Sequence, residues 1–451
     1  MRSSMAGRLA VLFLTQLMLV VDTTIVNVAL PRIGTQLGFS DAGLSWVVTV
    51  YALFFGGLIL LSGKIGTLIG ARRALLTGAA IFVVASAAGG LASTPGILIA
   101  ARAFQGAGAA LAAPSVLVLL TAITTPGPQR ARAMALFVLA TGSGAAAGLI
   151  IGGLLTEAFG WRSVMFVNVP VGVAILAGGF AFLTELPRTK QKLDVGGAVT
   201  STLAMAAAVY GFTLMGDKGF AHPAVIAALT VAAVALAVLI AVERGNPDAV
   251  LPLSFFRSWH SSGPLLAMLV IPAGQVCYLY FTTLVTQQQL GYTPVQTGMI
   301  LVPFTLALIL ANQLTPHLLS RHGERLIGSL GIAGLTAGIA AMAWAVSGPV
   351  TVTTLILPSV VLGLSAGLTF APVTAMIMNR APDGNTAAAA SLLQGMQQLG
   401  GAIGLSVIIA GGHTYAGAFL ATAAFPLIAL ALFTRGTRHS SPLTATAKGH
   451  S

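Results

Sequence analysis

The stretch VDTTIVNVALP, residues 21–31, places an aspartate inside a run that begins near Arg8 and is otherwise almost wholly apolar. Whether that run is a membrane span decides the fold. Of 451 residues, 56% are hydrophobic and 7% charged, and the mean hydropathy is +0.94. That leaves far too little polar surface to coat a water-soluble globule. Apolar segments of about 20 residues, each able to cross roughly 30 Å of hydrocarbon as a helix, recur along the whole sequence. The chain therefore reads as a polytopic all-α membrane protein, and a barrel or a single anchor is excluded. The first run is too long for a secretory signal and leads straight into further spans, so it reads as a retained helix.

Polar and Pro/Gly-rich breaks delimit fourteen spans: six between residues 8 and 184, two between 194 and 243, and six between 262 and 434. The expected organisation is a six-helix bundle over 1–184, two extra helices with their loops over 185–250, a second six-helix bundle over 251–440 and a cytoplasmic tail over 441–451. Connections are short, so no soluble domain is expected. With the N-terminus in the cytoplasm, 18 of the 22 Lys and Arg fall on the cytoplasmic side. Arg32, Arg162 and Lys218 fall outside, and Arg102 lies within the membrane. Both termini are thus expected in the cytoplasm of a plasma-membrane protein. The net charge of +12 reports this topology and requires no nucleic-acid partner. Trp46, Trp161, Trp259 and Trp344 fall near span ends, where amphipathic indoles belong. One cysteine, Cys277, excludes an intramolecular disulfide, and the scattered histidines have no metal-ligand spacing. No metal or cofactor is expected, and the chain is expected to act as a monomer.

Nine of the ten acidic residues lie in predicted loops or at helix ends, which leaves Asp22 alone at depth. An ionisable side chain there is costly and faces a bundle interior or a cavity, where it finds a partner. Arg102 is the candidate. At 1.5 Å per residue the two depths differ by about 6 Å, so contact through a water or through Gln105, on the Arg102 face at i+3, is expected. Two readings follow: a static ion pair that fixes packing, or a titrating proton site.

These residues carry a family resemblance. VDTTIVNVALP resembles the first-helix motif of the major facilitator superfamily, in its fourteen-helix drug:proton antiporter branch. RAFQGAGAA, residues 102–110, resembles the fourth-helix motif, whose arginine takes part in proton coupling, a role that the resemblance passes to Arg102. GWRSVMFVNVPVG (160–172), LDVGGAVTSTLAMAAAVYG (193–211), ERGNPDAVLPLSFFR (243–257), GYTPVQTGMILVP (291–303) and LSAGLTFAPVTA (364–375) extend the match over nearly the whole chain. The loop GKIGTLIGARR (63–73) resembles the superfamily's cytoplasmic motif after helix two. That implies a gating role for Gly63, Gly70, Arg72 and Arg73. Thr67 stands where an aspartate is usual and Leu68 where an arginine is common, so an incomplete charge network is expected. GSGAAAGLIIGG (142–153) keeps the antiporter glycine spacing, with Leu149 in place of the usual proline. Gly144, Gly148 and Gly152 line one helix face and permit close backbone approach; with Gly153 they are candidates for gating or for plain packing. PHLLSRHGERL (316–326) echoes GKIGTLIGARR, and Ala371-Pro372 echoes Ala113-Pro114. Two repeated bundles, rocking about a midplane site, fit this pattern.

Candidate cavity residues are Gln394, Gln397 and Gln398 on one helix face, Gln275 and Tyr278 three apart, Asn312, Tyr51, and Thr15 on the Asp22 face. Asp22 and Arg102 sum to zero, so the cavity favours a neutral or weakly charged amphiphilic solute. The expected function is proton-coupled export of such a compound, an antibiotic, drug or secondary metabolite. An importer on the same scaffold and a transport-inactive sensor are the alternatives, and no nucleophile or acid cluster supports an enzyme.

Overall fold

The computed structural model describes residues 5–39, 41–186, 194–244, 251, 253–381, 386–411 and 414–437. Among them every regular element is helical. The first bundle comprises α1 (Met5–Leu37), α2 (Asp41–Ile69), α3 (Ala71–Gly90), α4 (Pro95–Ile123), α5 (Pro128–Phe159), and the broken pair α6 (Arg162–Phe166) and α7 (Asn168–Phe182). Next come α8 (Val195–Lys218) and α9 (Pro223–Glu243). The second bundle comprises α10 (Trp259–Leu284), α11 (Pro294–Ile300), α12 (Val302–Ala345), α13 (Val352–Asn379), α14 (Thr386–Ala410), α15 (Tyr415–Thr422) and α16 (Ala424–Thr437). Twelve helical runs among the described residues are long and apolar enough to cross a membrane.

The caps explain where these helices begin. Thr94 accepts from the Ile97 amide with Pro95 following it, and Thr293 and Thr351 each form a capping box. Interruptions follow the repeat seen in the sequence. Gly70, with φ 97°, separates α2 from α3, and Gly323, with φ 77°, breaks the 44-residue α12. Only glycine takes such a conformation without strain. The echo between the two loops is therefore a shared backbone device.

Within the first bundle, α1 packs on α5, α7 and α4, while α4 packs on α2 and α3; in the second, α10 packs on α14 and α16, and α12 on α13. The seam between bundles runs through α2 and α4 against α14, and α5 against α11, α12 and α13. The extra pair is not peripheral in one respect. α8 touches both α2 and α14, whereas α9 packs chiefly on α8 and turns Ile226, Val234, Leu236 and Val238 outward. Trp161 departs from the expected interfacial role: it is 1% exposed and donates from Nε1 to Gln36 Oε1 at 2.9 Å, a core anchor between α6 and α1. Trp344, at the C-terminal end of α12, is by contrast 79% exposed.

Candidate functional site

Arg8, Arg72, Arg73, Arg130, Arg325, Arg380 and Arg435 cluster at one end of the molecule, the basic end, and Arg32, Arg162 and Lys218 lie at the other. Between the ends, Asp22 and Arg102 are both buried. Arg102 Nη1 donates to Asp22 Oδ2 at 2.6 Å, directly. The water or bridging amide expected from their depths is not needed, because the long arginine side chain spans the difference. Gln105 stands beside both: its Oε1 accepts from Arg102 at 2.9 Å, and its Nε2 donates to Asp22 Oδ1 at 3.3 Å and to Ser86 Oγ at 2.7 Å. A third group, Asn168 Nδ2, donates to Asp22 Oδ1 at 2.7 Å.

Arg102 has further contacts besides the carboxylate. Its Nε donates to the Val47 carbonyl at 3.0 Å, and its guanidinium lies 4.4 Å from the centroid of the Tyr51 ring, within cation–π range. Tyr51 thus belongs to the charge cluster, where sequence reasoning put it in a substrate cavity. Gly106 makes this geometry accessible. A methyl group there would stand 2.5 Å from the Tyr51 carbonyl, so glycine lets α4 press against α2 and brings Arg102 onto Val47. The glycines of α5 act similarly on α1. Added methyls at Gly144 and Gly152 would meet Val20 and Ile25 at 2.8 Å, and one at Gly148 would overlap the Thr24 hydroxyl. They hold the Asp22 helix inside the first bundle. Gly153 instead faces Val295 of α11, across the seam. The Leu149 side chain lies outside the described residues.

At the basic end the seam is closed. A methyl on Gly63 would overlap Ser391 Oγ of α14. Arg130 bridges the bundles: Nη2 donates to the Thr121 and Thr124 carbonyls at 2.8 Å each, capping α4, while Nη1 donates to Asn379 Oδ1 of α13 at 2.9 Å. The loop after α2 is not left without an acid. Glu185 accepts from the Arg72 backbone amide at 3.2 Å and lies 3.7 Å from Arg73 Nε. The Arg72 side chain donates to the Gly179 and Phe180 carbonyls. This corrects the expected vacancy at Thr67, whose hydroxyl donates to the Lys64 carbonyl at 2.7 Å. The substitute carboxylate comes from the end of α7, so the contact ties α3 to α7 within one bundle.

The other candidates divide. Thr15 is fully buried and donates to the Val11 carbonyl. Tyr278 donates to Ser359 Oγ at 3.0 Å, and with Gln275 it borders a small void enclosed by α10, α12, α13 and α16. Both therefore face the interior of the second bundle. Asn312 and Gln394 are buried; neither amide atom of Asn312 is hydrogen-bonded, nor is Gln394 Nε2. Gln397 and Gln398 are half-buried on α14. Sequence reasoning missed Gln16, whose Nε2 donates to Thr141 Oγ1 at 3.0 Å, and also Ser86 and Asn168. Asn168 had a visible signal: it is the one side-chain amide in the span 163–184.

Two helical bundles meeting along a seam closed at the basic end, with one compensated charge pair buried in the first among the described residues, define a polytopic membrane transporter. The chain belongs to the Major Facilitator Superfamily, whose family model matches residues 12–405 and 265–450. It is 34% identical over 416 residues to the "Cephamycin export protein CmcT" of Amycolatopsis lactamdurans, covering 90% of this chain and 85% of that one. It is also 34% identical over 411 residues to the "Puromycin resistance protein pur8" of Streptomyces alboniger, covering 89% and 80%. The crystal structure of the human organic anion transporter MFSD10 superposes with a TM-score of 0.68 at 15% identity, covering 95% of this chain and 99% of that one. That likeness concerns the fold alone.

Proposed function

We propose that this protein exports a small amphiphilic, antibiotic-like compound from the cell in exchange for protons, with Asp22 as the proton carrier. The relatives named above support export. One observation supports the titrating role: besides Asp22, Arg102 is held by the Val47 carbonyl, Gln105 Oε1 and the Tyr51 ring, contacts that would remain to it if Asp22 took a proton. A buried cation that loses its only counter-charge is strongly destabilising. Here the cation has neutral partners besides the carboxylate, which lowers the cost of neutralising Asp22 and so suits a cycling carboxylate.

The same reading holds that the chain crosses the plasma membrane fourteen times, with bundles over 1–184 and 251–440, the extra pair over 185–250, and the tail at 441–451. The break at Gly323 supports two crossings within α12, and 32-residue α5 is long enough for another. The basic end would face the cytoplasm with both termini, and the transporter would act as a monomer. Reporter fusions after Thr437 and at the Gly70 turn between α2 and α3 should both report cytoplasm, and an external signal from either refutes this orientation.

Antibiotic accumulation in a pump-deficient host tests the function. Expression should lower accumulation of at least one amphiphilic antibiotic, and an uncoupler should restore it. Accumulation above that of an empty-vector control would indicate an importer instead.

A further inference from the structure

We propose that Asn168 is a positioning residue for the proton on Asp22: its amide holds Oδ1 and sets how readily that carboxylate takes a proton. The inference rests on the reading of Asp22 as the carrier. The two carboxylate oxygens are divided between partners. Oδ2 is taken by Arg102 at 2.6 Å, whereas Oδ1 receives Asn168 at 2.7 Å and Gln105 at 3.3 Å. Hydrogen bonds to an ionised acceptor are shorter and about twice as strong as neutral ones. The shorter amide contact therefore contributes more to holding the charge, and a donor lost here favours the neutral acid. Asn168 is 2% exposed, so solvent does not stand in for it.

The fold aims this amide at the carboxylate. Asn168 opens α7 directly after α6 ends, and Pro170 has no N–H to give to the Phe166 carbonyl, which favours the break. α6 is fixed by Trp161 on Gln36 and by Arg162 on the Ala92 carbonyl. Among the described residues, the charged or titratable groups that face Asp22 are Arg102 from α4 and Tyr51 from α2. Against α1, the α5 face presents Gly144, Gly148 and Gly152, α6 has Arg162 engaged elsewhere, and α7 presents Asn168. Asn168 is therefore a neutral control on the proton affinity and not a second carrier.

An infrared pH titration of the purified full chain in nanodiscs reads this without a substrate. The carboxylic-acid carbonyl band that disappears in Asp22→Asn belongs to Asp22. Asn168→Ala should move its midpoint to higher pH by about one unit, a tenfold change in proton affinity. Asn168→Gln, which retains an amide donor, should return it toward wild type. Asn168→Asp, nearly isosteric and usable if the alanine variant does not fold, should move it higher still, because two adjacent carboxylates share a proton. A midpoint unchanged in Asn168→Ala, or in Asn168→Asp where that variant replaces it, overturns the positioning role while leaving Asp22 as carrier. Absence of any band assignable to Asp22 overturns the carrier reading itself, and this inference with it.

Discussion

Asp22→Asn is expected to abolish gradient-driven export while leaving equilibrium binding of a neutral substrate largely intact. The substitution mimics the protonated acid in shape and hydrogen bonding, so the cycle is frozen at one charge state. What is lost is the work of the proton. Moving one charge through about 100 mV contributes roughly 2.3 kcal/mol, and one pH unit adds about 1.4 kcal/mol. At about 1.4 kcal/mol per decade, one-to-one exchange could sustain a gradient of a few hundred-fold for a neutral solute. Uptake into inverted vesicles, with an imposed proton gradient, measures this directly. Should the Asn variant still concentrate substrate at the wild-type rate, the carboxylate is structural and the proton path lies elsewhere.

Gly63→Leu is expected to stop transport by a different route. At this crossing the α2 backbone lies against Ser391 and the Ala387 carbonyl, with no room for even a methyl group. A leucine side chain should hold the basic end open. Gly66→Ala is the control, since a methyl there would have its nearest neighbours at 3.8 and 3.9 Å, ordinary contact distances. Cysteine labelling resolves the two, because the natural Cys277 is buried and gives a low background. Thr67 lines the small cavity at this end, so Thr67→Cys places a reporter thiol there. That thiol should react many-fold faster with a membrane-permeant maleimide when combined with Gly63→Leu than when Gly63 is retained. Wild-type transport by Gly63→Leu would show that the seam does not need this closure.

The sequence made the membrane, the bundle repeat and the Asp22–Arg102 pair legible for one reason. A charge in an apolar span, or a glycine at a repeated loop position, stands out against its background. Lateral placement did not stand out. Periodicity gives depth along a helix but not which neighbour a face meets, so Tyr51, expected in a cavity, lies beneath Arg102. Tyr278 and Gln275 share a helical face as expected, but that face turns into the second bundle. Glu185 replaces an acid expected at Thr67 because the ends of α3 and α7 meet in space while lying more than 100 residues apart in sequence. Asn168 is visible in the sequence as the one side-chain amide of its span, but amides are common in helix packing, and its distance to Asp22 is what gives it a role.

The position of α8 bears on how a greasy solute can arrive. Gly56 and Gly57 of α2 lie so close to Val209 and Ala206 of α8 that an added methyl would stand 3.0 Å from either. On the other flank, a methyl added to Gly395 of α14 would stand 3.3 Å from Met205 of α8. The contact between α2 and α14 is therefore covered on this flank by a helix that touches both. A molecule dissolved in the bilayer and diffusing sideways toward that contact meets α8 instead of a doorway. On the opposite flank α5 runs against α12 and α13, and among the described residues neither α8 nor α9 packs substantially on those helices, so a solute leaving the bilayer sideways would meet less obstruction there.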